Sequence, residues 1–288
     1  MNEEVTAEPQ NLYNPISVEI SEVVRKIHEE TAGFAGSRGI VNEAVNHFKT
    51  KNGKLLRPAL ILFSGKAVKE SETKMEDLVL LAAAAELIHS ASLIHDDIVD
   101  AEILRRGILS LNKKYGPRLA MLVGDLLYSR AFNMLVKNID RRVIDIITRC
   151  VESMCVGEAE EIQEPVSTVS GYFNLIENKT ALLMSTCCEI GAITGGGDET
   201  SGRALKNYGL YFGMAFQIAD DFKDKELFPL GREEDRDYIL ASAYLYVEKA
   251  KKEISILKTS ESKESLIELA ERILFDVPKE LQKLKTGG

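Results

Sequence analysis

Apolar residues recur at helical spacing through almost the whole chain, while the strict alternation of a half-buried strand is scarce. This one feature commits the sequence to an all-α fold. The periodic segments predict helices over roughly 15–31, 36–50, 55–69, 75–100, 117–138, 140–163, 169–195, 199–226, 235–258 and 263–285. Turn chemistry separates them at Asn52-Gly53, Gly116-Pro117, Glu164-Pro165, the run from Gly195 to Gly197, and Pro229 with Gly231. Several of these helices are long, yet no strict heptad persists with flanking charge pairs, so they are not coiled coils. Long helices with short connections pack as a bundle, and bundle cores are where helical proteins build ligand and metal sites. With 288 residues, 45% of them apolar, the chain is long enough for one large domain or two closely packed ones.

Charge and cysteine content exclude several classes. A net charge of -9 does not suit a nucleic-acid partner, because a phosphate backbone requires a basic face. Cys150, Cys155, Cys187 and Cys188 lack metal-ligand spacing and read as reduced, buried thiols of a cytoplasmic protein. No stretch is expected to reach the uninterrupted apolar length of a membrane span, and the start MNEEVTAEPQ lacks the basic and apolar regions of a signal peptide. Membrane contact is therefore expected to be peripheral at most.

The stretch ASLIHDDIVDAEILRRG, residues 91–107, concentrates charge unusually. On a helix Asp96 and Asp100 stack on one face, Asp97 lies about a quarter turn round, and His89 falls on nearly the same stripe as Asp96. Close carboxylates raise one another's pKa unless cations neutralise them. Mg²⁺ does so with one or two carboxylates, several waters and substrate phosphate oxygens. A single acidic turn of this kind is a short motif that matches by chance. The pattern returns, however, in FQIADDFKD, as Asp220, Asp221 and Asp224. Two such turns, each preceded by an apolar stretch, predict helices facing each other across a cavity with metal ions between. Positive groups complete the pattern: Lys54 and Arg57 in NGKLLRP, Arg105 and Arg106 after the first acidic turn, and Lys179 in ENKTALL. Each alone is explained as a surface cation or a helix-end charge. Together they suit two diphosphates, one gripped through metal and one directly by cations.

The stretches GKLLRP, LIHSASLIHDDIVD, RRG, VGDLLYSRAF, KTALL and FQIADDFKD resemble, in content and order, those of a trans-isoprenyl diphosphate synthase of the polyprenyl synthetase family. The resemblance covers about residues 50 to 225. It implies the isoprenoid synthase fold, a bundle of about ten antiparallel helices around a central cavity, and a single domain over 1–288 with a loose start at 1–14. It further implies that Lys54, Arg57, His89 and Arg106 bind the diphosphate of isopentenyl diphosphate, and that Arg105 and Lys179 bind the allylic diphosphate. Asp96 and Asp100 would ligate Mg²⁺ with Asp97 in support, and Asp220 a further ion with Asp221 and Asp224 close by. Thr180 and Gln217 match positions near the reacting carbons, where with Lys179 they would assist catalysis.

The implied reaction is ionisation, condensation and elimination. Cations stabilise charge on the leaving diphosphate, the isopentenyl double bond attacks the allylic cation, and loss of a proton gives a chain longer by five carbons. Such a cation must be kept from water, which suits a site inside a bundle. Product length is then a matter of depth, since a helical turn of about 5.4 Å nearly matches one extended isoprene unit. Ala91 and Ser92, one turn below the aspartates, are small. The tail pocket is expected to continue past Leu87, Ile88 and the Ala82–Ala85 run towards a bulky floor, for which Phe132 is the candidate, giving a product of about C25 or longer.

The chain departs from the family after the second acidic motif. The usual Gly- and Lys-containing loop is missing, and KELFPLGREEDRDYILASAY takes its place, with Lys223, Lys225 or Arg232 available as substitutes. Two alternatives therefore stay open: a terpene cyclase, which would not need the Lys54, Arg57, His89 and Arg106 set, and a non-catalytic or partner-dependent subunit of a heteromeric synthase. A homodimer is expected through the helix around GDLLYSRAFNMLVKN, with a stripe at Leu122, Leu126, Ser129 and Asn133 and flanking Leu127 and Met134; the same stripe also fits the chain's own core, and a heteromer stays open.

Overall fold

The computed structural model describes residues 12–32, 39–49, 53–69, 75–163, 166–224 and 232–278. Within them the chain is helical almost throughout: α1 (Ser17–Thr31), α2 (Ile40–Lys49), α3 (Leu56–Ala67), α4 (Met75–Val99), α5 (Leu111–Tyr115), α6 (Pro117–Asn138), α7 (Arg141–Gln163), α8 (Val169–Ile176), α9 (Leu182–Thr194), α10 (Glu199–Asp224), α11 (Glu233–Glu253) and α12 (Glu261–Ile273). The expected helix over 169–195 is interrupted by a π turn at Glu177–Ala181. The expected helix over 235–258 ends at Glu253, followed by a 3-10 turn at Ile254–Ile256. Four features named from the sequence, Asn52, Glu164-Pro165, Pro229 and Gly231, lie outside the described residues, as do 279–285 of the last expected helix.

One region was not foreseen. A hairpin, β1 (Leu104–Arg105) with β2 (Ile108–Leu109), pairs Leu104 with Leu109 and Arg105 with Ile108. Its two turn residues both have positive φ, Arg106 at 52° and Gly107 at 78°. That is the requirement of the type I′ hairpin turn. Two-residue strands are too short to leave an alternating pattern, so the signal was confined to the Arg-Gly pair.

Contacts divide the chain into two compact units. The first comprises Ser17–Leu62 and Lys74–Arg141 and is organised on α4. Every residue of α4 from Leu78 to Ile88 is buried, as expected of a helix that is apolar all round, and α1, α5 and α6 pack against it. Glu76 and Asp77 in its first turn complement the helix dipole. Pro117 opens α6 at a position where a missing N–H costs nothing. Contrary to the expectation from the sequence, α4 and α6 are each long and apolar enough to cross a membrane by length and composition. The apolar average survives the interruptions at Glu86 and His89. In α4, 72% of the apolar window is buried inside the protein, the pattern of a core helix.

The second unit comprises Met1–Ile16, Phe63–Thr73 and Arg142–Gly288 and is organised on α10, which packs against α9, α11 and the π turn. Two glycines set the spacing of α10. A Cβ at Gly213 would lie 2.5 Å from the Ala181 Cα, and one at Gly209 would lie 2.6 Å from the Met184 carbonyl oxygen. The fully buried Tyr208 donates its hydroxyl to the Leu266 carbonyl at 2.6 Å, and Ser260 caps α12 by accepting from the Lys263 N–H. None of the four cysteines forms a disulfide; Cys150, Cys187 and Cys188 are buried, but Cys155 is exposed, which corrects the reading of all four as buried. Burial pushes the Cys188 thiol up to about 12, so it stays protonated and unreactive.

Candidate active site

The first acidic turn closes α4. Asp96 is half-buried and Asp100 exposed, while Asp97 is buried at 2% exposure. Asp97 accepts from the Arg105 Nε at 2.8 Å and from a second guanidinium nitrogen of the same arginine. Burial works against the Arg105 charge, but its hydrogen bond to Asp97 and the charges of Asp97, Asp96 and Glu102 outweigh that and raise its pKa. The loop beyond is tied back to the helix, with Asn112 Nδ2 donating to the Asp97 carbonyl at 2.7 Å and Ser110 Oγ to the Glu102 carbonyl at 2.6 Å. Asp97 and Arg105 thus form an internal pair at the root of the hairpin, whereas Asp96 and Asp100 retain access to water.

The RRG and GKLLRP stretches meet here. A Cβ on Gly53 would sit 2.8 Å from the Arg106 Nη2, so the glycine is what lets the guanidinium pack against that loop. The non-glycine residues with positive φ among those described are Leu55, Ala101 and Arg106. All three belong to the segments that frame this corner. Such backbone costs on the order of 1 kcal/mol or more per residue and persists only where surrounding structure enforces it, typically at functional sites. Lys54 is exposed and Arg57 half-buried.

Glu86, missed in the sequence, belongs to the same cluster. It lies one turn before His89 on α4, is 8% exposed, and its buried Oε2 has no hydrogen-bond partner. Burial raises its pKa, opposed by the charges of Arg57 and Arg106. His89 moves the other way: burial, then the positive charges of Arg57, Arg106 and Arg105, hold it well below the usual imidazole range. It is therefore neutral at pH 7 and offers hydrogen bonds rather than charge. For Glu86 the folded state holds its proton more tightly than the unfolded state, so stability falls as pH rises from the usual carboxylate range through the raised folded value. Glu86→Gln, which removes that titration, is expected to melt above wild type at pH 8, with the gap closing towards pH 4. Parallel melting curves at both pH values check this.

The second acidic turn closes α10. Asp220 is half-buried, Asp224 exposed and Asp221 buried. Asp221 accepts from the Tyr172 hydroxyl and from Gln217 Nε2, both at 2.6 Å, while Thr180 Oγ1 donates to Gln217 Oε1 at 2.7 Å. Thr180 and Lys179 both lie on the π turn, an irregularity that often marks functional positions. Lys179 Nζ is held by Glu161 at 2.8 Å and Glu158 at 3.2 Å. Burial opposes its charge, but the hydrogen bond to Glu161 and the charges of both glutamates prevail and raise its pKa. Among the described residues no three His, Cys, Asp or Glu side chains gather into a metal site. Mg²⁺ needs only one or two carboxylates when phosphate oxygens and water complete its shell. Asp96 with Asp100, and Asp220 with Asp224, present water-accessible hard oxygens four residues apart, which fits that mode of binding.

Residues 38–228 match the polyprenyl synthetase family. The geranylgeranyl pyrophosphate synthase of Geoglobus acetivorans is 30% identical over 80% of this chain and 89% of its own length. The chain belongs to the polyprenyl synthetase family. Component 2 of the heptaprenyl diphosphate synthase of Bacillus subtilis is 34% identical over 64% of the chain. The chain spans about half of that relative's length, 53%. Among solved structures, a polyprenyl synthase from Caulobacter crescentus complexed with calcium and isoprenyl diphosphate is similar with a TM-score of 0.80 and 25% identity, over 92% of this chain and 97% of that one. The all-α fold is thus that of isoprenyl synthase structures.

The remaining residues singled out from this polyprenyl synthetase sequence are placed as follows. Ala91 is fully buried and Leu87 is 2% exposed; Ser92 is half-buried and donates to the His89 carbonyl at 2.9 Å. Ala82, Ala83 and Ala84 have no accessible surface, so this stretch of α4 is closely packed. Phe132 is half-buried and stacks on Tyr128, with ring centroids 6.4 Å apart. Of the candidate substitutes for the missing loop, Lys223 is exposed at the end of α10, Arg232 pairs with Asp235 at 2.8 Å, and Lys225 lies outside the described residues. Glu86, Glu158, Glu161 and Tyr172 went unread. The only signal for Glu86 was a lone charge inside an apolar run, and tyrosine at 172 carried none that distinguishes it from core.

Proposed function

We propose that this polyprenyl synthetase condenses isopentenyl diphosphate with an allylic prenyl diphosphate, and that both acidic turns serve the one reaction. The observation that carries this reading is that each acidic turn shares its unit with the cations expected of it: Arg57, Arg105 and Arg106 with Asp96 and Asp100, and Lys179 with Asp220 and Asp224. Asp96 with Asp100, and Asp220 with Asp224, would hold magnesium, which when bound would supply Lewis-acid stabilisation of the leaving diphosphate; the calcium-bound Caulobacter relative supports a divalent ion. Lys179 neutralises the departing charge, exchanging its carboxylate partners for phosphate oxygens. Lys54, Arg57 and Arg106 orient isopentenyl diphosphate, with neutral His89 contributing a hydrogen bond. Thr180 and Gln217 present oxygens to the developing allylic cation. Incubation of the chain with radiolabelled isopentenyl diphosphate, Mg²⁺ and a C15 or C20 primer is expected to give extended product, and no product under any partner condition would refute the reading.

A partner-dependent subunit is the second reading. It is favoured by the Bacillus relative, named as one component of a synthase, and by the missing loop. Product formed only after a second subunit is added would establish it. For self-association, α6 supports the homodimer in part: Leu122 is 54% exposed and Ser129 and Asn133 face water, while Leu126 is half-buried and the flanking Leu127 and Met134 are buried in the chain's own core.

We further propose a product of about C25 or longer, supported by the small side chains at Ala91 and Ser92 one turn below Asp96. Ala91→Phe is expected to shorten the product by at least one isoprene unit, read by chromatography of the dephosphorylated alcohols. Wild-type product ending at C15 or C20 would overturn the depth argument.

A further inference from the structure

A carbocation intermediate sets two conflicting demands on the protein. Negative potential stabilises it, yet a carboxylate in contact with an allylic cation would be alkylated by it. Neutral oxygens avoid alkylation but are weak unless something polarises them.

The hydrogen bonds around Asp221 resolve this conflict. Tyr172 Oη donates to one carboxylate oxygen and Gln217 Nε2 to the other, each at 2.6 Å. Because the amide nitrogen faces the carboxylate, Gln217 Oε1 faces away from it and accepts the Thr180 hydroxyl at 2.7 Å. A flipped amide could still donate to the Thr180 hydroxyl oxygen but would set its own oxygen against the carboxylate, acceptor against acceptor, so the Asp221 contact fixes the orientation. Every bond in the chain runs towards the anion, so each polarises the next and draws electron density onto Gln217 Oε1 and Thr180 Oγ1. Tyr172, Asp221 and Thr180 are 7%, 8% and 8% exposed, a setting in which water screens this effect little.

From this arrangement we infer that Tyr172 is a positioning residue. By holding the second oxygen of Asp221, it keeps that carboxylate as the anchor of Gln217 and Thr180, away from metal and from the cation. Asp220 and Asp224 would then be the carboxylates of this turn that hold magnesium. This inference rests on the proposed prenyl transfer. Without the Tyr172 hydroxyl, the second carboxylate oxygen loses its buried donor, the side chain turns towards other partners, and Gln217 is no longer fixed.

The test compares Tyr172→Phe, Thr180→Val and the double variant under steady-state assay with both substrates. Tyr172→Phe is expected to lower kcat about tenfold, the scale of one hydrogen bond to a charged group, with KM for either diphosphate and the Mg²⁺ concentration for half-activity changed less than twofold. In the Thr180→Val background the same change should cost clearly less than in wild type, because part of its effect passes through Thr180 and the remainder through Gln217. Asp221→Asn, which keeps the shape, should show the same non-additivity, and serves if Tyr172→Phe fails to fold by circular dichroism. Multiplicative effects, an unchanged kcat, or a raised Mg²⁺ requirement would overturn the inference while leaving prenyl transfer intact. An inactive wild type, alone and with partner subunits, would refute the transferase reading and this inference with it.

Discussion

Asp96→Asn and Asp220→Asn, assayed separately, are each expected to lower kcat by about 10²- to 10³-fold, the usual loss when one electrostatic stabiliser of a developing charge is removed. The reason is position. Both carboxylates retain access to water, and each lies in the same unit as cations that suit a diphosphate. Removing the divalent ion with a chelator should abolish turnover in wild type, and its restoration by Mg²⁺ should require more metal in both variants. Asp97→Asn and Asp221→Asn should behave differently, because those carboxylates are buried and bonded to Arg105 and to Tyr172 with Gln217. Loss of the buried Asp97 charge leaves Arg105, whose side chain is 32% exposed, without its anion and is expected to lower the melting temperature, by less than the roughly 3–5 kcal/mol of a fully buried pair. Kinetics and melting measured on all four variants separate the two classes. Equal effects from Asp96→Asn and Asp97→Asn would mean that burial does not distinguish their roles.

A large stability effect from a single methyl group is expected at Gly213. In Gly213→Ala the new Cβ would lie 2.5 Å from the Ala181 Cα and 2.9 Å from the Ala181 Cβ. One of these is backbone, so the clash cannot be relieved by turning a side chain. Overpacking of this kind costs about 1–3 kcal/mol, and the melting temperature should fall by several degrees. Ala181 closes the π turn that carries Lys179 and Thr180, so any product formed should appear more slowly even where the variant remains folded. Gly202→Ala on the same helix is the control. A Cβ there meets nothing within 4 Å, and replacing a helical glycine by alanine gains up to about 1 kcal/mol. Opposite signs at the two positions would attribute the Gly213 effect to contact rather than to helix propensity.

How much was legible depended on the range of the forces involved. The helix expected over 117–138 is found as Pro117–Asn138, because a long amphipathic period framed by Gly-Pro is a local signal. The hairpin at 104–109 escaped notice, since two-residue strands have no period and the turn depended on arginine accepting a positive φ. The π turn was equally invisible: an inserted residue inside a helix leaves the apolar pattern nearly unchanged. The aspartates at 96, 97 and 100 look alike in a motif. Only burial separates Asp97, tied to Arg105, from its two neighbours.

The sequence by itself determined the helical class, the spacing of the two acidic turns and the family, all of which follow from residue order along one chain. Tertiary structure alone decided how the charges are partnered: the pairing of Asp97 with Arg105, the grip of Glu158 and Glu161 on Lys179, the burial of Glu86, and the bonds from Tyr172 and Gln217 to Asp221, with Thr180 bonded to Gln217. Those outcomes depend on what lies beside a side chain in space, where loss of water changes the cost of a charge and the partners available to it. A motif records the type of each residue, and packing determines whether that residue faces solvent, a ligand or another side chain.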